Sequence, residues 1–567
     1  MSNQQEGRWG RIWMVAGVHS LAALAFLNPV YTRPDSVGIY SYLRSMVIDG
    51  DLLFLNEWAG FGLIANGAPF FKEVTQFGTL ANHWWIGTSL LSSPFYLVAH
   101  FLSALLGNVP DGFWKLYALT LSWTTVGFAL VTSLICENVM GQLTSLSRTS
   151  RWTLIAALWL GTPLFWYEFR FPLGSHLAGA LCVAVLCKAL VDDSRRSSDH
   201  AAVAIGLALG LATATRIQHI VLAAAVVIYA IRLRRPVRFY LLVAAGVAPG
   251  LMLQGAAWWV IYGSPLGPLV SGANASGSTW MPFHTIAVWP VLVSSYHGLL
   301  PWSPIAGLCI GGLLSAVLTK NDADRNRKAI ILTLAVMFAL EWFANGTGDR
   351  YFWGGMSFGA RRFVDLALPL SVGLALFWQR FPRMLTVIAI ALSTIWSISL
   401  TTTALSGRLE LARDVTPIEL LSAGINPVMS GLREAISRPE ANAFSPLLSF
   451  VAFLIVGSIL TLLALAVRSP AWATRMTCAV TIGAAALVMF AFAPTRSRAS
   501  LDLERLEIDR EVAARSGPLN DQRTLLEDEA AYYEHRGKRA RAQATRAEIE
   551  GIDRRLQELH QRPTAGQ

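Results

Sequence analysis

The segment NHWWIGTSLLSSPFYLVAHFLSALL (residues 82–106) sets the topology of the whole chain, because it is long and apolar enough to cross a membrane yet carries features of a surface helix. His83, Trp84 and Trp85 stand at its start, and paired serines and Pro94 interrupt its middle. Aromatic and polar residues in this arrangement are typical of a helix that lies in the membrane interface. We therefore predict an interfacial or re-entrant helix on the outer membrane face.

The basic residues of the chain favour this interpretation. Arg8 and Arg11 precede the first apolar segment, so the positive-inside rule places the N-terminus in the cytoplasm. If residues 82–106 do not cross, the later basic clusters all face the cytoplasm as well, whereas a crossing would turn most of them outward. These clusters are Arg148/Arg151, Arg195/Arg196, Arg232/Arg234/Arg235/Arg238, Arg325/Arg327/Lys328, Arg380/Arg383 and Arg468/Arg475. The fourteen apolar segments of the chain then give about thirteen transmembrane helices.

Composition supports a polytopic membrane protein. Of the 567 residues, 54% are hydrophobic and 14% are charged, against roughly 25% charged residues in soluble domains. So few charges cannot cover soluble surfaces, which excludes a soluble enzyme, a disordered chain and a disulfide scaffold. The net charge of +10 lies in loops between apolar segments and does not indicate nucleic-acid binding. The five cysteines all fall in apolar runs, which is typical of buried thiols.

These patterns predict an all-α polytopic membrane protein in three parts. Residues 1–405 form the main transmembrane module, with interfacial helices in a first extracytoplasmic loop at 31–113. Residues 406–494 form a further extracytoplasmic loop and two more spans. Residues 495–567 are charged and helical in pattern, and predict a helical hairpin or coiled coil for packing, self-association or a protein partner. Thirteen spans place this tail outside the cytoplasm, and fourteen would place it inside.

The first outer loop carries an acidic residue at the start of a helix. Ser36 can cap a helix whose apolar residues recur at helical spacing, so Asp35 lies beside that N-terminus at the membrane surface. A carboxylate there can take a proton from an acceptor hydroxyl or hold a divalent cation. The alternative is that Asp35 only caps the helix.

Three arginines stand at unusual positions. Arg361 and Arg362 begin a span on the outer face, where their guanidinium forks can bind phosphate oxygens; the alternative is that they anchor the helix end by snorkelling. Arg216 stands between two apolar halves that are each too short for a full span. An intramembrane charge is costly, so its partner is either a substrate or a structural carboxylate such as Glu341.

The order of these features resembles the GT-C superfamily of membrane glycosyltransferases, and within it the bacterial branch related to protein mannosyltransferases and aminoarabinose transferases. The resemblance covers approximately residues 12–405. Its motifs, in chain order, are Asp35 with the run Y-x-Y-L-R-S-x-x-x-D-G-D-L from Tyr40, Lys72 before His83-x-x-x-Gly87, Phe165-Trp166-Tyr167 with His176, Gly206-x-x-x-Gly210 before Arg216, Ser294-x-x-His297-Gly298 with Trp302, and Trp353-Gly354-Gly355-x-Ser357 through Arg361-Arg362 to Asp365.

The resemblance implies inverting sugar transfer from a polyprenyl-phosphate donor to a lipid, glycan or protein acceptor, outside a bacterial inner membrane. Asp35 matches the catalytic acid of the first loop, and Asp51 and Glu57 are candidates for a second acid. Lys72, Arg361, Arg362 and Arg216 are the candidate ligands of the donor phosphate. The candidate residues of the substrate pocket are Tyr40, His83, His176, His297, Trp302, Asp349, Arg350 and Trp353.

Metal use stays open at this point. Lys72 lacks the adjacent Pro-Pro of several branches, and the acids do not form a D-x-D pair. Both departures speak against a metal-dependent enzyme. The candidate ligands of a divalent cation, Mg²⁺ or Mn²⁺, are Asp35 and Asp51.

Two other classes of function compete with a transferase. A transporter or flippase for lipid-linked saccharides predicts internal repeats and charged residues along a path at the membrane midplane. The halves of this chain show no repeat, and nearly all candidate residues lie at one face. A non-catalytic scaffold, with the tail as its working part, would not need the intact surroundings of Asp35.

Overall fold

The computed structural model describes residues 3–29, 34–61, 63, 71, 73–75, 79–268, 286–319, 324–348, 354–405, 407–411, 414–425, 523, 526–527, 530 and 539–561. Its regular structure over these residues is helical, with one isolated β-bridge between Val74 and Leu80. The predicted all-α fold is therefore confirmed for the described part of the chain. Several predicted features lie outside the described residues, namely the two spans after residue 443 and the side chains of Lys72, Asp349, Arg350 and Trp353.

Five described helices are long and apolar enough to cross a membrane: Gly87–Leu105, Lys115–Leu143, Val237–Tyr262, Arg325–Thr347 and Arg383–Leu405. The other described helices are Asn3–Phe26, Pro34–Arg44, Leu55–Gly60, Arg148–Gly161, Leu164–Phe169, His176–Arg195, Asp199–Thr215, Leu222–Arg232, Pro290–Val293, Leu299–Trp302, Ile305–Leu318, Ala367–Arg380, Pro417–Ile425 and Arg539–Gln561. A short π-helix lies at Ser45–Asp49, and short 3₁₀-helices lie at Ile217–Val221 and Arg361–Leu366.

The predicted cytoplasmic clusters between residues 148 and 383 meet at one end of the bundle, which we call the basic end; Arg468 and Arg475 lie outside the described residues. Helices begin here with side-chain caps: Ser198 accepts from the Ala201 N–H, and Asp324 accepts from the Asn326 N–H. Arginines bridge neighbouring loops by donating to backbone carbonyls, in the pairs Arg195 to Gln142 (3.1 Å), Arg325 to Arg232 (2.7 Å) and Arg327 to Leu143 (2.8 Å). The described clusters therefore share one end of the bundle, and the side of the membrane on which they lie stays a prediction.

Helix Gly87–Leu105 contacts the opposite end of the bundle at its start and beyond its finish. At its start, Gly87 lies against the backbone of Thr215. Thr215 is the last residue of helix Asp199–Thr215, which begins at the basic end and therefore finishes at the opposite end. Beyond its last turn, the Asp111 carbonyl accepts a hydrogen bond of 2.8 Å from Arg44, on the short helix that begins beside Asp35. These contacts favour the interfacial placement. The helix has 19 residues, which also suffices for a span, so the number of spans stays a prediction.

The charged tail is described at helix Arg539–Gln561 and at a few residues before it. Arg523 donates to Asp553 at 2.7 Å, so two parts of the tail that are 30 residues apart in sequence lie side by side. This contact is of the kind that a helical hairpin requires. Self-association through the tail, and the side of the membrane on which it lies, stay predictions.

Glycines allow two helices to approach at the level that leads to Arg216. Gly206 and Gly210 on helix Asp199–Thr215 face Gly246 and Gly250 on helix Val237–Tyr262. A Cβ at residue 206 would lie 2.1 Å from the Val243 carbonyl oxygen, so only glycine fits at this contact. Small residues of this kind let membrane helices pack backbone to backbone, and here they fix the helix end that carries Arg216.

We expect Gly210→Leu to lower the thermal unfolding temperature of the detergent-solubilised protein, because a Cβ at residue 210 would lie 2.6 Å from the Val247 carbonyl oxygen. Overpacking of this kind costs about 1–3 kcal/mol. The measurement is thermal unfolding followed by tryptophan fluorescence. Gly17→Leu is the control, since no atom lies within 4 Å of a Cβ built at residue 17. Equal melting temperatures for the two variants would contradict the proposed glycine contact.

Candidate active site

Asp35 lies in the first turn of helix Pro34–Arg44, at the end of the bundle opposite the basic end, which we call the site end. Its Oδ2 accepts a hydrogen bond of 2.6 Å from Arg361 Nη1, and its Oδ1 accepts one of 2.9 Å from the indole N–H of Trp84. The Asp35 side chain is 30% exposed and that of Arg361 is 21% exposed. The ion pair is therefore partly exposed at the protein surface, where a ligand can reach it.

The surroundings keep Asp35 ionised. Burial acts most strongly on this carboxyl group and by itself raises its pKa, because desolvation disfavours the charged form. The positive charge of Arg361, the hydrogen bonds from Trp84 and Arg361, and the charge of Arg216 act in the opposite direction. Together they hold the pKa of Asp35 below its ordinary value, so the group is a carboxylate at neutral pH.

Three arginines converge on this end. Arg216 and Arg361 both act electrostatically on Asp35, and both of them, together with Arg362, act on the His176 ring. Arg362 is buried, whereas Arg361 and Arg216 reach the protein surface. We call Arg216, Arg361 and Arg362 the arginine cluster. Guanidinium groups gathered in this way can bind the oxygens of a phosphate.

A glycine-containing loop holds Arg361. Gly354, Gly355 and Gly359 have φ values of 79°, 70° and 59°, in the left-handed region that favours glycine. A Cβ at residue 354 would lie 3.0 Å from Arg361 Nε, so this glycine also leaves room for the guanidinium. Such a loop can bring backbone N–H groups close to an anion.

Arg216 has a carboxylate partner that the sequence did not single out. The chain leaves helical geometry at this residue, where φ is −156°, between the two short apolar halves. Arg216 Nη1 lies 3.1 Å from Asp365 Oδ2 and donates to His176 Nδ1 at 2.6 Å. Glu341, the carboxylate considered from sequence, reaches Arg216 only indirectly, since it pairs with His219.

Three candidate residues of the substrate pocket make hydrogen bonds to other parts of the protein. Trp302 is buried and donates from its indole N–H to the Ser295 carbonyl at 2.7 Å. The His297 ring lies 3.0 Å from Ser357 Oγ and so contacts the glycine-containing loop. Tyr40 is buried and donates to the Gly112 carbonyl. These contacts give Tyr40, His297 and Trp302 roles in packing and loop placement.

His83 and His176 lie nearer to the ionic groups of the site end. His83 lies 3.1 Å from Glu73 and directly precedes Trp84, the partner of Asp35. His176 accepts from Arg216 at the start of helix His176–Arg195. Both side chains are therefore placed to orient groups that contact Asp35 or the arginine cluster.

The two candidates for a second acid lie at the far end of helix Pro34–Arg44 from Asp35. Asp51 accepts from Ser45 Oγ at 2.8 Å, and Glu57 accepts from Arg44 at 2.9 Å. Arg44 follows Asp35 by nine positions on this α-helix, a distance of about 13.5 Å along the axis. Their contacts hold the chain that leaves the helix, and the structure does not bring them together with Asp35.

The described residues do not fit a divalent cation. Among them, no group of three or more His, Cys, Asp or Glu side chains is close enough to hold a metal ion. Both oxygens of Asp35 already accept hydrogen bonds, one of them from a guanidinium, and Asp51 lies at the other end of the helix. A cation beside Asp35 would meet the positive charges of the arginine cluster, so we derive no step through a metal.

Sequence reasoning did not assign roles to Trp84, His219 and Asp365, although all three contact site residues. Asp365 ends the motif that begins at Trp353, and His219 follows Arg216 by three residues. The usable signal was the isolated charge of Arg216 in an apolar region, which favours a functional or a paired role. The sequence did not show whether the partner is a substrate or a carboxylate, nor which carboxylate it is.

No protein-family model matches the chain, and no curated protein matches it. Two solved structures are similar to it. One is ArnT from Cupriavidus metallidurans bound to undecaprenyl phosphate, with 14% identity over 76% of this chain and 78% of that chain and a TM-score of 0.42. The other is ArnT from the same organism in the apo state, with 15% identity, coverage of 77% and 78%, and a TM-score of 0.41.

Proposed function

We propose that this protein is a membrane glycosyltransferase that moves a sugar from a polyprenyl-phosphate donor to a hydroxyl-bearing lipid, glycan or protein acceptor. The observation that carries the proposal is the ion pair between Asp35 and Arg361 at the edge of the arginine cluster. It places a carboxylate that can accept a proton beside cations that can bind a phosphate. The motifs shared with GT-C glycosyltransferases support the same chemistry.

The donor fits the charge and the place of the cluster. A polyprenyl phosphate keeps its chain in the lipid and presents its phosphate at headgroup depth, which is where the predicted topology puts the site end. A guanidinium group can donate two parallel hydrogen bonds to the oxygens of one phosphate. Arg361 and Arg216 reach the protein surface and are the proposed direct ligands. Arg362 adds charge from a buried position, and Lys72 is proposed as a further ligand from the motif match.

Asp35 is the proposed base. The acceptor hydroxyl oxygen attacks the anomeric carbon from the face opposite the phosphate, so that the new C–O bond forms as the bond to the phosphate oxygen breaks. The hydroxyl proton passes to Asp35, and the electron pair of the broken bond stays on the lipid phosphate. The arginine cluster stabilises the charge that develops there. This course inverts the anomeric configuration.

The test is sugar transfer in liposomes that contain the purified protein, a panel of radiolabelled polyprenyl-phosphate sugars and candidate acceptors. We expect release of polyprenyl phosphate from at least one donor, with the product in the opposite anomeric configuration. Movement of an intact lipid-linked saccharide across the bilayer, without cleavage of any donor, would instead assign the site to a transporter or flippase. Retention of configuration would reject the single displacement with Asp35 as base.

The proposed location is a bacterial inner membrane with the site end facing outward. The grouping of the basic clusters at the opposite end supports this orientation, because positive loops stay in the cytoplasm. A membrane-impermeant thiol reagent tests it with single-cysteine variants. The Met356→Cys variant, at a side chain that is 65% exposed beside Gly355, should react from the outside of intact cells. A cysteine at the exposed His200 of the basic end should not.

A further inference from the structure

Behind the arginine cluster lies a chain of buried ionisable groups. Glu341 Oε1 lies 2.6 Å from His219 Nδ1, and His219 Nε2 lies 2.9 Å from Asp365 Oδ2. Asp365 Oδ2 lies 3.1 Å from Arg216 Nη1. The side chains of Glu341, His219 and Asp365 are fully buried, whereas that of Arg216 is 11% exposed. Arg216 is therefore the member through which this chain of charges meets the site.

The hydrogen-bond roles in this chain follow from which groups can donate. A guanidinium only donates, so His176 Nδ1 accepts from Arg216 and carries no proton. His219 Nδ1 hydrogen-bonds Glu341 Oε1, and Nε2 lies within ion-pair distance of Asp365 Oδ2. An imidazolium would place its positive charge between these two carboxylates. Two carboxylates, one imidazolium and one guanidinium then cancel in charge. A buried set of this kind persists when every member is paired.

Helix His176–Arg195 is shaped to admit the central carboxylate. A Cβ at Gly179 would lie 2.9 Å from Asp365 Cγ and 3.0 Å from its Oδ2, closer than real Cβ atoms approach. One turn earlier on this helix, His176 contacts Arg216 and lies within the electrostatic influence of Arg361 and Arg362. The same helix thus holds Asp365 in place and contacts Arg216 of the arginine cluster.

We infer that Asp365, held by His219 and Glu341, is a positioning residue that fixes the guanidinium of Arg216 for the donor phosphate. This inference rests on the proposed function, since it assigns the phosphate to the arginine cluster. Asp365 does not touch the donor. It neutralises the buried edge of Arg216 and sets its direction, so that the arginine meets the phosphate without rearranging on binding.

The test is the binding of a C55 polyprenyl monophosphate to the detergent-solubilised protein, combined with transfer kinetics. Asp365→Asn keeps the shape of the side chain and removes its charge. We expect its Kd for the lipid and its donor KM to rise about 10-fold to 100-fold, because one partner of a buried charge pair is lost. The value of kcat should change less than KM. The double variant with Arg216→Gln should bind no more weakly than Arg216→Gln alone, since Asp365 acts through Arg216.

Asp193→Asn is the matched control, because Asp193 is also a fully buried carboxylate, paired with Arg235 at 2.7 Å, but lies at the basic end. It should lower the melting temperature without changing the Kd for the lipid. An unchanged Kd in Asp365→Asn, or additive losses in the double variant, would overturn the inference while the proposed function stands. Absence of lipid binding by the wild-type protein would instead overturn the proposed function.

Discussion

Replacement of Asp35 by asparagine is expected to lower kcat for sugar transfer by at least about 100-fold, the lower range for loss of a positioned general base. Asparagine has nearly the same shape and can still accept the hydrogen bond from the Trp84 indole. It cannot take a proton from the acceptor hydroxyl, and its amide N–H groups would face the donating guanidinium of Arg361. Polyprenyl phosphate should bind no more weakly than to wild type, because the substitution removes a negative charge beside Arg361 and leaves its guanidinium in place.

The measurement compares transfer and lipid binding of wild type and Asp35→Asn in the same liposomes. Asp49→Asn is the matched control from the same loop: Asp49 accepts from Arg44 at 2.9 Å and from Asn56 at 2.7 Å, at the far end of the helix from Asp35. It should retain kcat. Equal rates of transfer for wild type and Asp35→Asn would remove Asp35 from the mechanism and favour a transporter or scaffold.

The parts of the fold that the sequence predicts well are those set by local composition. Apolar length gives helices such as Lys115–Leu143, and the basic clusters show which loops share a side. The unusual place of Arg216 was also visible, because a charge between two short apolar runs is costly in a membrane. Each of these inferences needs only the residues within about one helix length and the physics of the membrane.

The pairing of the site could not be predicted in the same way. Asp35 and Arg361 are 326 residues apart in sequence, and Arg216 could face any buried carboxylate that the bundle brings near. The choice of Asp365 over Glu341 follows from helix packing, for which Gly179 leaves the space. Likewise, Asp51 and Glu57 lie in the same predicted loop as Asp35. Helix Pro34–Arg44 separates both of them from Asp35, and this separation is seen only in the structure.

Replacement of Arg361 by glutamine is expected to have the second large effect, a loss of about 1,000-fold in kcat/KM, in the range for removal of a strong group that stabilises developing charge. The variant loses the guanidinium that reaches the surface beside Asp35. Donor binding and the stabilisation of the leaving phosphate should both weaken, so KM rises and kcat falls. Arg151→Gln is the control, since Arg151 is an arginine of the basic end that pairs with Glu137 at 2.6 Å; its kcat/KM should stay near that of wild type.

The pH dependence of Arg361→Gln distinguishes this role from simple damage to the fold. The charge of Arg361 is the largest of the influences that lower the pKa of Asp35, and burial alone would raise it. A base acts only when ionised, so activity falls as the pH drops through its pKa. In the wild type this acid limb of kcat/KM should lie below the ordinary range of a carboxyl group, and in Arg361→Gln it should move to higher pH. If the acid limb of Arg361→Gln stays at the same pH as in wild type and only the maximal kcat/KM is lower, Arg361 does not control the charge of Asp35 during turnover.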